Sequence, residues 1–275
     1  MGKNKKTNNI DMKKKEIFKL FVKKFSEIVK EYDVYKTGRK NSENIEEYVT
    51  KIANVLFYNH SWESFDNTTK YRKKYNKWTK DGLIDILYHK LYEYYCKKRT
   101  FKELYVDSKV VQNFNCHDDF IKHYYKIKSK KQIKMHAISD NNNILHGLIF
   151  TPPAVHDVTM IPYLVKNTNC NLHKNSYVVG DKGYITPDNL YKKKQNGKNK
   201  QVLIVSPIKS NQTNKRLNNI KKNLLKKRFK AEQTFAHMTR TYQRLDKLYE
   251  KSLNGYSNMI KLSQICQILR KTNPE

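Results

Sequence analysis

The feature that most constrains this chain is a change of hydrophobic period close to Arg99. Before that point apolar residues recur at helical spacing. Ile17, Phe18, Phe21, Val22 and Phe25 form one set, and Ile45, Tyr48, Val49, Ile52, Val55 and Leu56 form a second. Thr68 and Thr69 offer N-caps ahead of Tyr71, Tyr75 and Trp78, and Asp81-Gly82 punctuates before Leu83, Ile84, Ile86, Leu87, Leu91 and Tyr94 resume the period. After Arg99 the apolar runs shorten to strand length: Leu104-Tyr105-Val106, the alternating stretch Ile133 to Ile138, and Ile144 to Phe150. Between the last two, Asp140-Asn141-Asn142-Asn143 supplies the turn-forming residues of a hairpin loop. A helix from about Asp157, a strand Tyr177 to Val179, a helix entered through Thr186-Pro187, a strand Val202 to Val205 and a helical region from about Leu224 complete the order. A hairpin followed by alternating strands and helices predicts an α/β fold, a mixed sheet with helices on its faces, preceded by an all-helical region.

The same boundary divides the chain into a polar, lysine-rich arm over residues 1–15, expected to be mobile, a helical region over 16–99 and a mixed domain over 100–275. With 275 residues the chain can bury a full core without staples. The cysteines Cys96, Cys116, Cys170 and Cys266 are scattered, so they read as reduced packing residues; Cys170 and His173 have metal-like spacing but lack a second close pair to complete a zinc site. No run approaches the roughly eighteen apolar residues of a membrane span, and the first residues lack an apolar signal core, which predicts an intracellular protein. A formal charge of +31, from 56 Lys and Arg against 25 Asp and Glu, predicts salt-dependent attraction to nucleic acid. Part of that excess reflects a composition rich in Lys, Asn, Ile and Tyr, as an AT-rich genome encodes.

Three acidic residues carry the chemistry. Asp107 follows Leu104-Tyr105-Val106 and Asp181 follows Tyr177-Val178-Val179-Gly180, so each stands at the end of a strand, with Gly183 allowing a sharp turn. Glu232 lies on the last helical stretch, four residues after Arg228 and on the same face. Singly these are a strand end, a turn cap and a surface ion pair. Together they form a cluster whose mutual repulsion calls for a hard divalent cation, Mg2+ or Mn2+, and two such ions serve in-line displacement at a phosphodiester.

The same residues resemble a family, the insertion-sequence DDE transposases of the group numbered four and five, over about Trp62 to Leu262. The run Tyr71-Arg72-Lys73-Lys74-Tyr75-Asn76-Lys77-Trp78-Thr79-Lys80-Asp81-Gly82 looks like its N-terminal aromatic and basic signature. Val106-Asp107-Ser108 looks like its first aspartate, and Lys134-Met135-His136-Ala137, Asp140 and His156-Asp157 fall where it has a Lys-x-His strand, a hairpin and a His-Asp pair. Gly180-Asp181-Lys182-Gly183-Tyr184 and Arg228-Phe229-Lys230-Ala231-Glu232-Gln233-Thr234-Phe235 are similar to its second aspartate and its glutamate helix. Leu225 and Thr239, with Arg240 beside it, depart from a tyrosine and a lysine that the family associates with holding the DNA end. The span from Asp181 to Glu232 leaves no room for the large strand-rich insertion of some relatives.

The resemblance implies a ribonuclease H-like catalytic domain that cuts transposon ends and joins them to target DNA, with Asp107, Asp181 and Glu232 as catalytic and metal-holding residues. It also implies a homodimer on paired ends and a DNA-containing compartment: a bacterial cytoplasm, a nucleus or a viral factory. Candidate DNA contacts are Arg72, Lys73, Lys74, Lys77, Lys134, His136, Tyr184, Lys227, Arg228 and Arg240. Blander roles compete at several positions. His136 reads first as a satisfied sheet histidine, Tyr184 and Trp78 as buried aromatics, Asp157 as a helix N-cap and Asp188 as a first-turn acid. The basic runs Lys192 to Lys200 and Lys209 to Lys230 flank the path between Asp181 and Glu232, and are either solvated faces or backbone contacts. Two rival functions remain: a nuclease of the same fold that cleaves without joining, and a domesticated DNA-binding protein without catalysis.

Overall fold

A computed structural model describes residues 4–33, 44–66, 68–113, 116, 132–185, 189–207 and 219–272. The chain divides into two compact units, one of Met1–Tyr92 with Met238–Glu275 and one of Glu93–His237. The helical unit therefore takes in the C-terminal stretch as well as the N-terminal helices expected of it.

The helical unit contains α1 (Asn4–Asp33), α2 (Ile45–Tyr58), α3 (Thr68–Lys80), most of α4 (Leu83–Lys97) and, from the end of the chain, α8 (Leu253–Thr272). Helix α1 runs through most of the stretch expected as an arm, because lysine is a fair helix former and extending a helix costs far less than nucleating one. Asn44 caps α2 by accepting a hydrogen bond from the Glu47 amide, and Asn59 closes it in the left-handed conformation at φ 53°. Thr68, expected as a cap, is the first residue of α3. Asp81-Gly82 separates α3 from α4 as expected, with Gly82 at φ +71°. The helical spacing read from sequence places Phe21, Phe25, Val49, Ile52, Leu56, Tyr75 and Trp78 in the core, each buried. A fully buried aromatic or aliphatic side chain of this kind contributes about 1.5–3 kcal/mol. Phe21 stacks on Phe25 with ring centroids 5.1 Å apart, and the Tyr75 hydroxyl donates to the Gly255 carbonyl at 2.7 Å.

The sheet unit is built on β1 (Phe101–Asn113), β2 (Gln132–Ser139), β3 (Leu145–Thr151), β4 (Leu172–Val179), β5 (Leu190–Gln195) and β6 (Lys198–Val205), in the spatial order β3-β2-β1-β4-β6-β5. β1, β2 and β3 form an antiparallel meander, while β4 pairs parallel with β1 and with β6. Helices α5 (Asp157–Asn167), α6 (Asn219–Lys226) and α7 (Phe229–Thr241) follow β3 and β6. This mixed sheet with flanking helices is the ribonuclease H-like arrangement expected from the sequence. On one face Tyr105, Val179 and Val205 pack with Leu224 of α6 and Ala231 of α7.

One element differs in kind from the expectation. Thr186, Pro187 and Asp188 lie outside the described residues, but the stretch after them is strand β5 rather than a helix. Asn196 and Gly197, both with positive φ (50° and 71°), make a two-residue turn, and β5 returns antiparallel as β6. Asn-Gly is the strongest short-range hairpin signal, because this turn needs two left-handed residues in succession. Here it outweighs the Thr-Pro helix start.

Candidate active site

Sheet register brings the two aspartates together. In the parallel β1/β4 pair Tyr105 lies opposite Val179, so Asp107 and Asp181 each come two residues further along neighbouring chains. Gly180 makes the approach possible. A Cβ there would come within 2.7 Å of Val106 Cγ1 and 2.9 Å of the Tyr184 ring, closer than real contacts allow. Past it, Asp181 accepts a hydrogen bond from the Gly183 amide at 2.7 Å and opens a short 3-10 turn, Lys182–Tyr184. The Asp107 carboxylate accepts from the Ser108 amide at 2.8 Å.

Burial and neighbouring acids both act on Asp107, burial the more strongly. Burial pushes the Asp107 pKa up to about 6; the Ser108 amide works against this, and the charges of Asp181, Glu232 and Asp157 add to the rise. Glu232 sits in the first turn of α7, well exposed, its Oε1 3.2 Å from Arg228 Nη1. Among the described residues, no three acidic, histidine or cysteine side chains are gathered tightly enough to enclose an ion. The donor set still suits a divalent cation: three carboxylates supply hard oxygen ligands, and a cation would relieve the repulsion registered at Asp107.

The helix carrying Glu232 is latched to the β2/β3 hairpin. The Thr234 hydroxyl lies 2.8 Å from Ser139 Oγ and donates to Asn143 at 3.1 Å, and Lys230 donates to Asn141 at 2.7 Å. The expected hairpin turn thus forms, with Asn143 at φ 61°, Asp140 accepting from the Asn142 and Ile144 amides, and Tyr95 donating to Asp140 at 2.5 Å. Nothing in the sequence pattern marked Thr234 or Asn143 as anchors of the glutamate helix.

The residues expected to touch DNA fall into distinct groups. Lys73 and Lys77 on α3 and Arg240 on α7 are exposed. Arg72 lies 3.7 Å from Glu63, and Lys74 is buried with its ammonium over the Tyr48 and Trp78 rings, 5.4 and 5.6 Å from their centroids. Lys227 is paired with Glu103 at 2.7 Å and Arg228 with Glu232. His136 and Tyr184 are buried at 0% and 1% exposure, as the bland readings had them, and Trp78 is likewise buried. The run Lys192 to Lys200 lies on the β5/β6 hairpin, where Lys192, Lys194 and Lys198 are exposed, while Lys193 turns back to donate to the Val165 and Lys166 carbonyls. Much of the second basic run lies outside the described residues.

Asp157 is placed otherwise than expected. His156 is the N-cap of α5 and Asp157 its first residue. Its carboxylate turns to Lys134 and His136 on β2, with Oδ1 3.0 Å from Lys134 Nζ and 3.3 Å from His136 Nδ1. Burial by itself would push its pKa up, but His136, Ser108 and Lys134 outweigh that and pull it down to about 2.

Residues 100–269, more than half of the chain, match the family described as the transposase DDE domain. The chain belongs to that family. It is a transposase of the DDE type, and its family acts on DNA and generally depends on divalent metal ions. No curated protein and no solved structure matches it. Among the described residues of this transposase no helix is long and apolar enough to cross a membrane.

Proposed function

We propose that this transposase cleaves the ends of its element and joins the freed 3′ ends to target DNA, with Asp107, Asp181 and Glu232 as the catalytic carboxylates. The observation that carries the reading is the parallel β1/β4 register, which sets Asp107, within β1, beside Asp181, just past the end of β4, together with the raised pKa of Asp107. Asp107 and Asp181 would hold Mg2+ or Mn2+, and Glu232 would join them once it turns from Arg228. When bound, the metal supplies positive charge that activates an attacking oxygen and stabilises the leaving one at phosphorus. The released Arg228, with Lys227 nearby in sequence, would face the DNA backbone. Water attacks in the cleavage step, so one P–O bond forms as the bond to the 3′ oxygen breaks. In joining, that 3′-hydroxyl attacks a target phosphodiester, and its new P–O bond forms as the bond to the target strand's own 3′ oxygen breaks.

The exposed lysines of α3 would bind the duplex away from the chemistry, Arg72 and Lys74 serving the helical unit itself. We place the protein inside the cell, in a compartment that holds DNA, working as a homodimer on paired ends. The test is strand transfer by purified protein with Mg2+ or Mn2+, using DNA ends from the sequence flanking its own gene, beside Asp181→Ala. Joining that needs Asp181 supports the proposal, and metal-dependent cutting without joining makes the protein a nuclease of the same fold. Binding without chemistry in either protein makes it the domesticated DNA-binding protein that Leu225 and Thr239 hint at.

A further inference from the structure

A polar cluster lies beside Asp107 and Asp181. Side chains alternate along β1, so Ser108 points to the opposite face of the sheet from Asp107, and His136 lies across from Ser108 in the β1/β2 register. His136 is fully buried and its Nε2 lies 2.8 Å from the Thr151 hydroxyl, which itself donates to the Pro152 carbonyl. The other ring nitrogen, Nδ1, faces Asp157 and has no hydrogen-bond partner. Lys134 donates to the Val155 carbonyl at 3.0 Å while its ammonium stands against Asp157, so the entry to α5 is tied to β2 from two sides.

The clamped carboxylate reaches the turn that carries Asp181. Gly183 leaves a gap there: a Cβ on it would come within 3.0 Å of Asp181 Oδ1 and 3.3 Å of Asp157 Oδ2. The carboxylates of Asp157, at the start of α5, and of Asp181, just past the end of β4, therefore lie against the same glycine. An acid held by a buried histidine and a lysine, pressed against a backbone that has been kept bare, is more than a helix-start residue needs.

We propose that Asp157, clamped by Lys134 and His136, is a positioning residue that braces the Asp181–Gly183 turn and so fixes the separation of Asp181 from Asp107. The inference rests on the reading of those two aspartates as a metal-holding pair, and it gives the Lys-x-His strand and the His-Asp pair a role in orientation rather than in DNA contact.

The experiment compares the full-length parent with Asp157→Ala and Lys134→Met, the second variant guarding against loss of α5 in the first. The Gly183 and Ser108 amides are followed by NMR without metal, and Mn2+ uptake is followed by electron paramagnetic resonance. Both variants are expected to shift the Gly183 signal and speed its exchange. They are expected to weaken Mn2+ binding about 10- to 100-fold while leaving metal-free duplex binding unchanged. Parent-like Gly183 signals and parent-like Mn2+ affinity in both variants would overturn the proposal. A disturbed Gly183 in the variants, with a parent that takes up no Mn2+ at all, supports the bracing role and refutes the metal-holding reading instead.

Discussion

In the helical unit several lysines lie against aromatic rings, whereas in the sheet unit two aspartates stand close together on neighbouring chains. Lys51, Lys70 and Lys74 stand over the rings of Tyr48, Phe65, Tyr71 and Trp78, each within 6 Å of a centroid. An ammonium over a ring is attracted by the ring's quadrupole, so that packing stabilises the unit that contains it. Asp107, by contrast, is placed where burial and neighbouring acids disfavour its charge. The difference separates charge used for holding a fold from charge held ready for a ligand, and it can be attacked from either side.

The largest effect belongs to the acids. Asp107→Ala and Asp181→Ala are expected to lower DNA cleavage and joining by about a thousandfold or more, roughly 4 kcal/mol of transition-state stabilisation. Duplex binding without metal should stay at the parent level, as a filter or gel-shift titration would record. Strand transfer by either variant at a tenth of the parental rate would erase the contrast, because the two aspartates would then be ordinary sheet residues.

Gly180→Ala tests the approach of the chain after β4 to β1. The new methyl group meets Val106 Cγ1 and the Tyr184 ring, and both sit in a packed interior where neither can give way cheaply. Overpacking of this sort costs about 1–3 kcal/mol. A matching fall in denaturation midpoint is expected, together with loss of cleavage.

Asp107→Asn should do the reverse to stability while destroying activity. A carboxyl whose folded pKa is about 6 favours folding when protonated. That contribution is complete below the unfolded value near 4 and is lost as pH rises through about 6. The metal-free asparagine variant escapes the loss, so at pH 7 it should exceed the parent by about 1–3 kcal/mol. At pH 4 the two should agree. An advantage independent of pH would mean that ionisation of the buried Asp107 carboxyl is not its source.

The elements that were legible in the sequence are those where one physical signal acted alone. Helical spacing found the cores of α2 and α3, and the end of β4 just before Asp181 followed from a short apolar run. Asp107 was misplaced at a strand end: β1 runs on through it to Asn113, because pairing with β2 holds the polar residues after Val106 in the sheet. Where two local signals competed, sequence pattern chose badly: Thr186-Pro187 argued for a helix, and the Asn196-Gly197 turn ten residues on produced a hairpin. Contacts between distant segments left no local trace. Asp157 looked like a cap because its partners, Lys134 and His136, lie more than twenty residues away on β2. Thr234 looked like any helix residue until the β2/β3 turn closed on it.

The same limit explains the lysines of α3, where the smallest predicted effect discriminates best. Sequence treats Lys73, Lys74 and Lys77 alike, but a helix gives each its own direction: Lys74 turns inward over two rings, and its neighbours face water. Lys74→Met keeps the apolar stem and removes the charge, so it should cost about 0.5–2 kcal/mol of stability and leave DNA affinity unchanged. Lys73→Gln with Lys77→Gln should leave stability within about 0.5 kcal/mol of the parent. If each lysine neutralises one phosphate, the slope of log affinity against log salt should flatten by about 0.9 per residue. Equal slopes for the parent and the double variant would show that the outer face of α3 is merely solvated, and would leave duplex binding to the basic hairpin of β5 and β6. A flattened slope with Lys74→Met would be more damaging, because it would mean that the cations on the rings and the cations facing water are not two populations at all.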